Sequence, residues 1–408
     1  MTLRKRGRRK TVAALGVAGA ASVAAAVGLI GISPAHAEAD VLGAESADAV
    51  EGSFVVKLKD DVEASSQSVD SLAGDYGANV DETFDVFNGF SAEMSDEDAR
   101  RLAADSAVDY VEQDVEVSIN AVQENPKSWG LDRVDQEAAE GDKAYNYPDS
   151  AGEGVTAYVI DTGVDIEHPD LEGRAEHGTN THDGNDDASD GNGHGTHVAG
   201  TVAGTEYGLA KAAKVVGVKT LGDDGTGSLA NVVAGVEWVA ENAEGPSVAN
   251  LSLGGGADQA MDDAITALVE SGVTAVVAAG NANEDACDSS PARAEAAITV
   301  GATDVEDVRP TDWPNGQGSN YGKCLDIFAP GDEIVSSVPG GGEDTFSGTS
   351  MASPHVAGAA ALFLADNADA KPADVEAALI DNALTDVVQE PGEGSPNLLL
   401  NTGFLLEG

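Results

Sequence analysis

The sequence predicts an α/β protein in which a mostly parallel sheet carries helices on both faces, preceded by a small α+β domain. From residue 155 onward, short apolar runs (155–160, 215–218, 248–253, 273–278) alternate with stretches of helical periodicity (229–241, 257–270). Such alternation marks parallel strands joined by crossover helices. Between residues 52 and 114, strand-like and helix-like segments follow one another at a shorter spacing, as a smaller separate domain requires. Composition supports folded domains: 42% of the 408 residues are hydrophobic, although the formal net charge is −51. A chain that acidic but poor in apolar residues would stay unfolded. Aromatic residues are only 4%, so the core must be built from Val, Leu, Ile and Ala.

Taken in order, residues 1–37 read as an export signal. Arg4, Lys5, Arg6, Arg8, Arg9 and Lys10 precede an uncharged Ala/Val/Gly/Leu stretch that closes on Ala35-His36-Ala37; a basic start, an apolar centre and a small-residue cleavage site make a signal peptide. The expected product is secreted and extracellular. Arg8-Arg9 also permits a twin-arginine route. Loss of this segment removes six of the 21 basic residues and none of the 72 acidic ones, leaving 15 against 72, a formal −57. That field repels polyanions and acidic lipid surfaces, so neither nucleic acid nor a membrane is an expected partner. Gly52 to Leu58 alternates like a strand, 61–76 is helix-like, Phe84 to Phe90 strand-like, 96–104 helical and 108–114 a strand. Residues 119–128, containing Asn125-Pro126, read as a solvated linker. The large domain follows. Cys287 and Cys324 are the only cysteines; in an exported chain an even count suggests a disulfide, with buried free thiols as the alternative.

Three segments carry chemistry. Val155-Thr-Ala-Tyr-Val-Ile-Asp161-Thr-Gly163 ends an apolar strand on an aspartate, and Asn192-Gly-His194-Gly-Thr-His197 starts a helix on a glycine-flanked histidine. Thr345-Phe-Ser-Gly-Thr-Ser350-Met-Ala puts a serine where a loop of small residues turns into a helix. A hydroxyl there is exposed, and the following N–H groups and helix dipole favour negative charge developing beside it. His194, with an ordinary pKa of ~6.5, can take up and return a proton near neutrality, and Asp161 can fix its tautomer. With Asn250-Leu-Ser-Leu-Gly-Gly255, Ala278-Ala-Gly-Asn281 and Asn320-Tyr-Gly-Lys-Cys-Leu-Asp-Ile-Phe-Ala-Pro-Gly331 in the same chain order, residues 129–404 resemble the subtilisin family of serine proteases, and within it the proteinase K and aqualysin-like branch.

The resemblance implies a subtilisin-like catalytic domain over 121–408, preceded at 38–120 by a ferredoxin-like α+β propeptide that assists folding and inhibits the enzyme, with self-cleavage near Asn120–Ala121. Asp161, His194 and Ser350 would be the triad of a serine endopeptidase, and Asn281 with the Ser350 N–H would hold the oxyanion. Ser252, Leu253 and Gly254 on one side and Gly225, Thr226 and Gly227 on the other would bind an extended peptide, strand to strand. Ala278, Ala279 and Gly280 complete a P1 pocket with no charged base, which implies broad cleavage after apolar or aromatic residues. The branch carries a disulfide at the places of Cys287 and Cys324. It also carries a structural Ca²⁺ site matched by Asp326 and the backbone carbonyls of Glu295 and Ala297; hard oxygen donors suit that ion. The acidic loop from Asp183 to Asp190 could hold a second ion, although solvation alone explains such a loop. A monomer acting on polypeptide substrates is expected. His197 and His355 read as non-catalytic; His168, His177 and His182 read as solvated loop residues, with membership of an ion site as the alternative for the last two.

Overall fold

The structure is a computed structural model and describes residues 38–406 apart from 45–48, 60, 61, 63, 85 and 116–120. The export signal and Asn120 therefore lie outside the described residues. The chain divides into two compact units at Glu116/Val117.

The first unit holds β1 (Ala49–Leu58), α1 (Ser66–Asp75), β2 (Asn79–Phe84), β3 (Gly89–Glu93), α2 (Asp96–Ala103) and β4 (Val108–Val115). Its antiparallel sheet has the order β2-β3-β1-β4. One face of that sheet, with Phe54, Val56, Phe90 and Val111, packs on Val69 and Ala73 of α1 and Ala99 and Leu102 of α2. The stretch from Phe84 to Phe90 is not one strand. It is the connection between β2 and β3, because Asn88 takes a left-handed conformation (φ 58°) immediately before Gly89, the Asn-Gly pairing that tight hairpins favour. Asn88 Nδ2 also donates to the carbonyls of Lys59 and Val62 at 3.1 and 2.7 Å.

The second unit runs through β5 (Ala121–Glu124), α3 (Trp129–Val134), β6 (Ala144–Tyr147), β7 (Thr156–Asp161), β8 (Ala175–Asn180), α4 (His194–Ala203), β9 (Lys214–Lys219), α5 (Leu229–Asn242), β10 (Ser247–Leu251) and β11 (Gly255–Gly256). It continues with α6 (Gln259–Glu270), β12 (Thr274–Ala278), β13 (Ser289–Ser290), β14 (Ile298–Thr303), β15 (Ile327–Pro330), β16 (Ile334–Val338), β17 (Gly342–Phe346), α7 (Thr349–Asp366), α8 (Pro372–Asp381), β18 (Leu384–Thr385) and β19 (Leu398–Leu399). Nine strands form one sheet in the order β18-β19-β15-β14-β12-β10-β7-β9-β8, parallel except for the β18–β19 edge. Every residue of β10, β12 and β14 is buried, as expected of strands covered on both faces. On one face lie α4 and α7, with Val198, Val202, Val356 and Leu362; on the other lie α5 and α6, with Val232, Val236, Ile265 and Leu268.

The sheet grows outward in both directions from β7, toward β9 on one side and β10 on the other. Sites in such sheets form at the carboxyl ends of strands beside this reversal. Residues 121–124 are not a solvated linker. They pair with β6 as β5, and Gln123 is clasped by Lys211 Nζ at 2.6 Å and by the Glu206 carbonyl at 2.9 Å. Cys287 and Cys324 are joined in a disulfide with Cα atoms 5.3 Å apart. Among the described residues no helix is long and apolar enough to cross a membrane.

Candidate active site

The sheet brings Asp161 and His194 together. Asp161 is the last residue of β7 and fully buried; His194 opens α4, and its Nδ1 lies 2.8 Å from Asp161 Oδ1. An ionised carboxylate can only accept, so this contact puts the ring proton on Nδ1 and leaves Nε2 with a free lone pair. The same Oδ1 accepts from Thr162 N at 2.7 Å.

A second carboxylate anchors the helix. Asp190, 9% exposed, accepts at Oδ1 from Thr162 Oγ1, Asn192 N and Gly193 N at 2.9–3.0 Å, and at Oδ2 from Thr196 N and Oγ1 at 2.9 and 2.6 Å. The free N–H groups and positive dipole end of α4 are thus met by a buried anion. Sequence reasoning placed Asp190 in a loop for a possible second ion; its turn inward is a correction. Burial pulls the His194 imidazole down, but the Asp161 charge, the Asp161 hydrogen bond and the Asp190 charge outweigh it and raise its pKa above the ordinary value.

Ser350 is the second residue of α7. Its Oγ donates to the Ser252 carbonyl at 3.2 Å rather than to His194, a resting geometry common where substrate tightens the catalytic contacts. The helix holds Ser350 in an unusual way. Pro354 lies inside α7 and lacks the N–H that would bond the carbonyl four residues back. Ser252 Oγ supplies that donor to Ser350 O at 2.8 Å. Asn250 Nδ2 in turn donates to Ser252 Oγ, and Ser353 Oγ donates to Asn250 Oδ1. The proline was a visible signal that some group had to replace it.

Asn281 lies three residues beyond β12. Its Oδ1 accepts from Thr349 N and Thr349 Oγ1, both at 2.9 Å, which leaves Nδ2 free to donate elsewhere. A methyl on Gly348 would sit 3.3 Å from Asn281 Nδ2 and 3.7 Å from Ser350 N. Glycine there keeps open the space that both donors face. Asn320, 1% exposed, fixes this loop from behind: Nδ2 donates to Ala279 O, and Oδ1 accepts from Ala282 N and Glu284 N.

The Subtilase family matches residues 152–403. The chain belongs to the subtilase family. Peptidase inhibitor I9 matches residues 41–120 of the same subtilase. It is 48% identical over 340 residues to the alkaline serine exoprotease A of Vibrio alginolyticus, covering 82% of this chain and 62% of that one. It is 47% identical to the extracellular serine proteinase of Thermus sp. strain Rt41A, covering 80% and 79%. A crystal structure of a cold-adapted subtilisin-like serine proteinase is 48% identical, with a TM-score of 0.65, over 67% of this chain and 97% of that one. These relatives are consistent with the proteinase K and aqualysin-like branch.

In this subtilase one cavity is lined by His194, Gly225, Thr226, Gly227, Ser252, Leu253 and Gly254, so both expected peptide-binding segments face the same space. A second, beside Ser350, is lined by Leu253, Gly254, Ala278, Ala279, Gly280 and Asn281. Glu284 also lines it, so the cavity expected to have no charged base does carry one acidic residue, which sequence reasoning did not place there. His197 and His355 are fully buried, and burial lowers each to about 4. His168 is buried too, its Nδ1 accepting from Asp170 N, and His177 lies on β8 with Nδ1 accepting from Ala188 N. Neither is a solvated loop residue, whereas His182 is exposed.

Among the described residues no group of three or more His, Cys, Asp or Glu side chains could hold a metal. The candidate Ca²⁺ site needs only one carboxylate with backbone carbonyls. Asp326 fits that role: burial, reinforced by the Glu376 charge, raises it to about 6 against the Thr299 N–H, which donates to Oδ2 at 2.8 Å. A cation would relieve that unfavourable charge.

Proposed function

We propose that this subtilase is a secreted, self-processing serine endopeptidase. The observation that carries the reading is the 2.8 Å contact of His194 Nδ1 with buried Asp161, in a site whose serine opens a helix beside the free amide of Asn281. Ser350 Oγ attacks the scissile carbonyl as its proton passes to His194 Nε2. Asp161 holds the ring and stabilises the imidazolium that forms. The oxyanion takes hydrogen bonds from Asn281 Nδ2 and Ser350 N; removing one such donor typically costs about 10²–10³ in kcat. The imidazolium then protonates the leaving amine, and a water hydrolyses the acyl-enzyme by the same relay in reverse.

An extended peptide lies between residues 225–227 and 252–254, with an apolar or aromatic P1 side chain between Leu253 and Ala278. The I9 region at 38–120 is read as an intramolecular inhibitor released by cleavage near Asn120–Ala121. The name of the Thermus relative supports an extracellular place of action. Structural Ca²⁺ is assigned to Asp326 and the carbonyls of Glu295 and Ala297; it would cross-link the loop before β14 to that before β15, away from the chemistry.

The test is Ser350→Ala. The variant precursor should stay uncut near residue 120, show no turnover above background and take no fluorophosphonate label, whereas the parent matures and is labelled. Efficient self-maturation of purified Ser350→Ala protein would sink the reading.

A further inference from the structure

We infer that Glu284 is a specificity determinant that extends P1 recognition to lysine and arginine side chains; this rests on the cavity beside Ser350 being the P1 pocket of a peptidase. That cavity has apolar walls, Leu253, Ala278, Ala279 and Ala292, and Glu284 is the one charged residue that lines it. Its backbone is pinned at both ends: Glu284 N donates to Asn320 Oδ1 at 3.1 Å, and Glu284 O accepts from Tyr321 N at 3.0 Å. The carboxylate is therefore carried on the framework that places Asn281. The exposed Glu284 side chain makes no ion pair or hydrogen bond among the described residues. Arg309, the cation bonded to the adjacent Asn283, bonds elsewhere than Glu284, with Nη1 on Asn283 Oδ1 and Ser319 O and Nε on Glu390 O.

An unpaired carboxylate at the rim of an apolar slot suits an amphipathic guest. The methylenes of a lysine or arginine pack along the walls while the charged head reaches the wetter rim. An aliphatic or aromatic P1 residue fills the same walls without using the charge, and an acidic one is repelled. Exposed ion pairs are weak, so the effect is a bias superimposed on broad cleavage rather than strict selection.

The experiment uses the mature enzyme and three peptide anilides that differ only at P1: Lys, Leu and Glu. The Lys-to-Leu ratio of kcat/KM should fall about two- to fivefold in Glu284→Gln, the range expected for an exposed pair. Glu284→Lys should raise the Glu-to-Leu ratio. Molar NaCl, which shortens screening to ~3 Å, should bring the parent ratio to that of Glu284→Gln. Glu306→Gln, an exposed acid outside the cavity, separates local from overall charge and should leave the ratio alone. An unchanged ratio in Glu284→Gln, or an equal fall in Glu306→Gln, overturns the inference. No turnover of any of the three by the parent overturns the peptidase reading beneath it.

Discussion

At the level of single residues, His194 is held by two carboxylates of different kinds. Asp161 touches the ring, whereas Asp190 touches the backbone that carries it and acts on the imidazole only through space. A histidine base works when neutral, and the net influence on His194 raises its pKa, so kcat/KM should rise with pH through a value above ~6.5. Asp190→Asn removes one of the charges that favour the protonated ring, which should move this acid limb toward lower pH. The variant should also unfold more easily, because both oxygens of Asp190 accept and an amide nitrogen would face donors; stranding a buried donor costs ~1–3 kcal/mol. A pH–rate series with thermal melts checks both, and an unmoved acid limb would show that Asp190 acts on packing alone.

At the level of elements, α7 lacks one hydrogen bond in its first turns, and Ser252, the residue just after β10, restores it. The run 248–253 is legible as a strand from its apolar residues, but that Asn250 and Ser252 serve the helix carrying Ser350 is not, since Ser252 Oγ and the Ser350 carbonyl it bonds lie 98 positions apart. Ser252→Ala should leave Ser350 O without that donor and lower stability by ~1–3 kcal/mol. The thermal midpoint measures this. Pro354→Ala in the same background should recover part of the loss by returning an N–H to the helix, and failure to recover any would contradict the donor-replacement account. The same scale explains the two misread segments. The periodicity from Phe84 to Phe90 hid an Asn-Gly turn, and residues 121–124 are too few and too polar to announce a strand that only β6 and Lys211 define.

For the molecule as a whole, charge is the dominant feature. Residues 121–408 hold 50 acidic and 11 basic residues, a formal −39, and self-repulsion of that size opposes the compact state. Screening length falls from ~30 Å at 0.01 M to ~3 Å at 1 M salt. The thermal midpoint and activity of the mature enzyme should therefore rise from 0.01 M to 1 M NaCl at fixed calcium, and a flat or falling response would reject salt stabilisation. At fixed salt, excess chelator should lower the midpoint while altering kcat of the surviving enzyme little, because an ion bound only to the folded state stabilises it by mass action. An unchanged melting curve would remove Ca²⁺ from Asp326.

The sequence by itself determined the class of fold and the segments that carry Asp161, His194, Asn281 and Ser350, because these lie at a strand's end, just beyond one or at a helix start, and those boundaries are set by contiguous apolar runs, glycines and small residues. The tertiary structure alone decided what supports them, Asp190 folding under α4, Ser252 standing in for the N–H that Pro354 lacks and Asn320 bracing the Asn281 loop, and it alone put Glu284 among the residues lining the cavity beside Ser350. These contacts join segments distant in the chain through single side chains, and neither periodicity nor local propensity encodes which distant carbonyl or carboxylate a side chain will meet once the sheet has closed.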